Sequence, residues 1–240
     1  LLLSLVLVSS ACSKSDDPIL EPELAPETGQ PVPYYELQRV ENFHAPVDDS
    51  NPTTTPPTVY FSLTYNKEAK SEYLKTTLWD VSFGGLYNSF LGGNNGNATK
   101  KNVGYGGPGL GGILLIEKPF EEVTEVPEDD LFATGSHLIG NDISGAFSSE
   151  KGWYLYDFDG TIKGDGSKEK QHVAHAMSDS RTIVIRTAKG DYAKIKMISC
   201  YKDAFTPAEW FKDTPHMYFT FEYVIVPNGS KVFEIKSTSI

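Results

Sequence analysis

HVAHAMSDSRTIVIRTAKGDYAKIKMISCY, residues 172–201, is the stretch whose reading decides the fold. Two β-rich runs, 181–188 and 192–201, flank the turn Lys189-Gly190-Asp191. β-Branched enrichment on both sides of a glycine turn predicts an antiparallel hairpin. Ile183, Val184 and Ile185 supply the apolar side chains of the first strand, and Ile195, Met197 and Ile198 those of the second. Just ahead of the hairpin, His172, His175 and Met177 bring three soft or borderline metal-ligand side chains close together in the chain. Iron ligation could be concentrated nowhere else in the sequence.

Working outward, residues 59–63, 76–83, 113–116, 153–157, 217–226 and 232–235 read as further strands, short and bounded by turn residues. One helical start stands out. Thr206-Pro207-Ala208-Glu209 has Thr as N-cap, Pro in the first turn and Glu at the third position, a capping box that predicts one or two turns through Phe211. There is no βαβ rhythm and no internal repeat. The pattern therefore predicts an all-β fold: one domain of many short antiparallel strands with long loops and one short helix.

Residues 186–201 fit RTxxGxYAKIxxxSxY and resemble the HmuY family of haem-binding lipoproteins from Bacteroidetes-type bacteria. Residues 78–83 (LWDVSF), the glycine-rich 92–112, 123–127, 152–157 (GWYLYD) and 218–223 (YFTFEY) follow in the family's order, so the resemblance spans about 58–236. It implies a protein that is not an enzyme, holds haem by axial His or Met ligation and hands it to a TonB-dependent outer-membrane receptor. It also implies that 91–112 lies near the ligand-binding end. His172 is the first candidate ligand, and His175 and Met177 are alternates. Family members draw a second ligand from the loop before the Trp153 strand, where His137 is the only imidazole or thioether. Two departures matter: Phe158 stands where the best-known members place another ligand, and Ala176 replaces a proline found in many. They leave open an alternative, a surface lipoprotein of this fold that has lost haem ligation and serves as a non-catalytic interaction module.

The beginning of the chain suggests how it is held. Residues 1–11, LLLSLVLVSSA, read as the end of a truncated secretory signal, and Cys12 follows as the candidate lipidation site of a lipoprotein. Ser9 departs from the leucine that such a site prefers. The acidic Ser13-Lys14-Ser15-Asp16-Asp17 looks like a surface-sorting signal, so the expected location is the outer membrane, exposed at the cell surface or facing the periplasm. Residues 13–57 are rich in Pro, Glu and Asp and are expected to form a disordered spacer, leaving 58–240 as the β domain.

Composition narrows the partners. At 240 residues the chain can bury a sizeable core without disulfides. A net charge of −11 repels phosphate backbones, which argues against nucleic-acid binding. Cys200, the only cysteine besides Cys12, reads as a small buried hydrophobe. Residues 107–112 match GxGxxG but feed an apolar strand rather than a helix, so they read as a long flexible or bulged loop. Asp157-Phe158-Asp159-Gly160 lacks the terminal Glu of a calcium loop and reads as a surface turn. No GxSxG is present.

Overall fold

In the computed structural model, which describes residues 29–97, 102–142 and 151–236, the β-branched runs around Gly190 form the predicted hairpin. Its strands are Thr182–Arg186 and Tyr192–Tyr201, with Ile183 opposite Ile195 and Ile185 opposite Ala193. The Thr187 N–H donates to the Asp191 carbonyl at 2.7 Å, and Gly190 adopts φ +93°, where a side chain would be strained.

In chain order the strands are β1 (Gln38–His44), β2 (Val59–Ser62), β3 (Lys67–Ala69), β4 (Val81–Gly84), β5 (Phe90–Gly93) and β6 (Gly112–Ile116). They continue as β7 (Tyr154–Asp157), β8 (Val173–Ala176), β9 and β10 (the hairpin), and β11 (His216–Val226). A five-stranded sheet runs β1-β11-β10-β9-β6, a four-stranded sheet runs β3-β2-β4-β5, and β7-β8 is a separate ribbon. Every one of these pairings is antiparallel. The fold is all-β.

Both faces of β9 and of the second half of β11 are buried, which explains why TIVI and YVIV are almost continuously apolar. Ile183, Ile185, Phe219 and Phe221 share a core with Phe61 and Phe83 of the smaller sheet. Ring contacts join the sheets, Phe61 to Phe221 at 5.3 Å and Phe83 to Phe219 at 4.6 Å. Val184, Val224 and Val226 point the other way, into a second cluster with Phe120, Phe132 and Phe233. Each such side chain contributes about 1.5–3 kcal/mol by leaving water.

The ribbon is fixed by Trp153 and its neighbours. The fully buried Trp153 indole donates to the Ser89 carbonyl at 2.8 Å, and the Tyr154 and Ser89 hydroxyls lie 3.0 Å apart. From the other side, the Ala174 N–H donates to the Tyr201 hydroxyl at 2.8 Å.

Four expectations need correction. The spacer does not extend to residue 57: β1 lies within it and pairs with β11, and Phe43 packs between Phe61 and Phe83 at 5.1 and 5.2 Å. The strand expected at 76–83 starts only at Val81, because the 76–80 backbone turns to meet Asn94, whose amide donates to the Thr76 and Trp79 carbonyls. Residues 232–235 form no strand, only a bridge from Val232 to Glu125. The capping box at Thr206 forms, but the helix it opens is a single 3-10 turn, Pro207–Glu209. Trp210 leaves the helical path because its buried indole donates to the Ala204 carbonyl at 3.1 Å. The other helical turns among the described residues are also 3-10 turns of three residues.

Cys200 is buried as expected, and burial pushes its thiol pKa up to about 12. Against an ordinary thiol near 8.5, that cuts the thiolate on the order of a thousandfold. A disulfide reagent should therefore modify native protein slowly and urea-unfolded protein at the rate of a free thiol. Equal rates in the two states would show that β10 leaves Cys200 open.

Candidate ligand-binding site

His172 sits one residue before β8, in a left-handed backbone conformation with φ +59°. A non-glycine residue in that region costs energy and is held by its surroundings. Here the His172 N–H donates to the Phe158 carbonyl at 3.2 Å, closing the 158–172 loop onto the end of β7. The side chain is exposed, and its Nδ1 lies 2.8 Å from the Tyr156 hydroxyl. Phe158, 44% exposed, meets the ring edge-on with centroids 4.7 Å apart. Burial and the nearby Tyr87 raise the Tyr156 hydroxyl pKa, so it stays protonated at neutral pH. The result is an imidazole turned by Tyr156 through one nitrogen, with Nε2 left for a ligand. Tyr156 was missed in the sequence; its position two residues before Phe158 in the Trp-containing strand was the available signal.

The loop that carries this imidazole is shaped by Asp157. Its fully buried carboxylate accepts N–H bonds from Thr161, Ile162, Lys163 and Gly164 at 2.8–3.1 Å. Burial pushes the Asp157 carboxyl up, but these four donors outweigh it and hold the pKa below the usual range. The expected surface turn is thus organised around its own first residue.

The other sequence candidates lie elsewhere. His175 is on β8 but points inward, its ring 5.6 Å from Trp210. Met177 is half-buried and closes the turn into β9, its carbonyl accepting from Arg181 at 2.8 Å. His137 also has positive φ, +55°, but its ring covers Gly84, in the space a Cβ there would fill beside Thr58. Its Nε2 is buried without a hydrogen-bond partner, and burial lowers its pKa. The contacts of His137 and of His172 involve different residues. The glycine-rich segment adjoins His137: Asn102 donates to the Gly93 and Thr134 carbonyls, and the Val103 N–H to Ser136. In its described part Asn94, Asn95 and Asn102 are buried and bonded to backbone. His216, half-buried, pairs with Asp49 at 3.0 Å and lies 5.8 Å from the Tyr87 ring.

No family model and no curated protein matches this chain. Among the described residues, no group of three or more His, Cys, Asp or Glu side chains is placed to hold a metal ion, and no helix is long and apolar enough to cross a bilayer. Cys12, the candidate lipidation site, lies outside the described residues.

Proposed function

We propose that this chain is a haem-binding surface lipoprotein of the HmuY type. It would be anchored to the outer membrane through Cys12 and pass haem to a TonB-dependent receptor, with no bond-making step of its own. The observation that carries this reading is the outward imidazole of His172, oriented by Tyr156 and flanked by Phe158. A hydrogen bond at one ring nitrogen orients the ring, and with the Nδ1–H donated to the Tyr156 hydroxyl the Nε2 lone pair is aimed at a metal. A bare transition-metal ion calls for three or four protein donors. Haem needs only one or two, because the porphyrin fills the remaining positions, and a single outward imidazole meets that lower demand. Phe158 and Tyr156 offer apolar surface to a porphyrin face. His172 is therefore the ligand on which binding depends, ahead of His137, His175 and Met177.

Titrating the ligand-free protein with haemin tests this. The expected result is a sharpened, shifted Soret band saturating at one haem per chain. His172→Ala should weaken binding at least tenfold, and His137→Ala should leave it within about twofold. A flat titration would favour the alternative, a non-catalytic interaction module on the same scaffold.

A further inference from the structure

His175 occupies the middle of β8 opposite Leu155 and is 5% exposed. Its ring meets Trp210 at 63° with centroids 5.6 Å apart, and its Nε2 is enclosed without a hydrogen-bond partner. Trp210 is itself held: its indole N–H donates to Ala204, its ring stacks on Tyr201 at 6.0 Å, and its carbonyl accepts the Lys170 ammonium at 2.8 Å. Through this ring contact the β7-β8 ribbon is joined to the 204–210 turn.

A neutral imidazole suits that position and an imidazolium does not, because a buried cation needs an acceptor and a counter-charge. The surroundings give Nε2 no acceptor and only one counter-charge, Asp157. Asp157 on β7 faces the ring, but its carboxylate already accepts four backbone N–H groups. Lys163 and Lys170, from the 158–172 loop, repel a positive charge. From β10, Cys200 and Tyr201 are buried and held neutral. Glu209, beside Trp210, is engaged in the capping box. Burial lowers the His175 pKa, only partly opposed by Asp157. A depressed histidine leaves the open state binding more protons, so the contact is at full strength above the ordinary histidine pKa, about 6.5, and weakens as pH falls below it.

We propose that His175 is an acid-operated latch: when it is protonated, the β7-β8 ribbon lets go of Trp210 and β8 opens locally while the two sheets stay folded. Tyr156 and His172 ride on that ribbon, so acid would also loosen the candidate site. That coupling rests on the haem reading; the latch does not.

Hydrogen exchange on the full chain, without haem, tests the latch. After correction for intrinsic rates, protection of residues 173–176 should fall at least tenfold between pH 7.5 and 5, while β11 stays protected. His175→Phe should remove the step, and His175→Gln provides a second uncharged variant should the first fold poorly. A response from His137, a half-buried imidazole, would appear instead at Leu138 and Ile139, whose N–H groups bond to Leu91. Flat wild-type protection overturns the proposal, as does a step that persists in either folded variant. An NMR titration of the His175 ring in the wild-type protein decides the matter even if neither variant folds, because a ring that protonates without moving the β8 amide shifts also overturns it.

Discussion

Asp80→Ala should cost roughly 3–6 kcal/mol, enough to leave much of the protein unfolded at ambient temperature. The Asp80 side chain is fully buried and ties three parts of the chain together. One carboxylate oxygen accepts the Leu63 and Thr64 N–H groups at 2.8 and 3.2 Å, at the turn after β2. The other accepts the Ala188 N–H at 3.0 Å, at the tip of the central hairpin. Truncation strands three backbone donors, each costing about 1–3 kcal/mol when left without a partner. Set against a total stability of about 5–15 kcal/mol, that loss decides whether the fold persists. Asp80→Asn keeps an acceptor for one side only and should fall between the two. Urea denaturation with an unchanged slope reads the difference as a shifted midpoint. An Asp80→Ala midpoint matching wild type would mean that the two sheets are joined by packing alone.

Asp157→Ala should have the next largest effect, on the order of 2–4 kcal/mol, expressed mostly in the 158–172 loop. Four backbone N–H groups converge on the Asp157 carboxylate. Because His172 is positioned by its bond to Phe158, loosening the loop should also displace the candidate ligand. The variant should therefore bind haemin more weakly although Asp157 touches no part of it. The same carboxylate gives the protein an acid limit. Its native pKa is depressed, so its contribution is complete above the unfolded value of about 3.9 and is lost as pH falls toward the native value. Asp80 has the opposite sign: burial raises its pKa, and the Ala188, Thr64 and Leu63 N–H groups only partly offset that, so protonating it favours the folded state and acid does not destabilise the protein through it. Wild-type stability should thus drop between pH 5 and 3, and Asp157→Ala should show a smaller drop. An identical acid profile in the two proteins would count against this role.

The parts of the fold legible in the sequence are those where one signal dominates. β9 and β10 are β-branched and paired across a short turn, so their residues alone define them. β1 carries little apolar surface, QRVENFH, and a bulge between Val40 and Phe43 breaks its alternation, so it was read as spacer. β5 hides in FLGG, where glycines are required by close backbone approach: a Cβ on Gly93 would meet the Gly112 backbone at 2.9 Å. At the candidate site, the sequence marked His172 but could not reveal Tyr156 beneath it, since that contact depends on the register of β7 against β8. The sequence put His172 ahead of His175 but did not show which ring faces solvent: just before β8 the His172 ring points outward, and on β8 the His175 ring packs against Trp210.

The central claim is that the His172 imidazole supplies the iron ligand, and chemical rescue reaches it most directly. His172→Gly should lose the shifted Soret band on adding haemin and regain it when free imidazole is supplied. Tyr156→Phe, which keeps the ring but removes the hydroxyl that orients it, should bind with a weaker and broader band. If His172→Gly takes up haemin with the wild-type spectrum and affinity in the absence of imidazole, His172 is not the ligand.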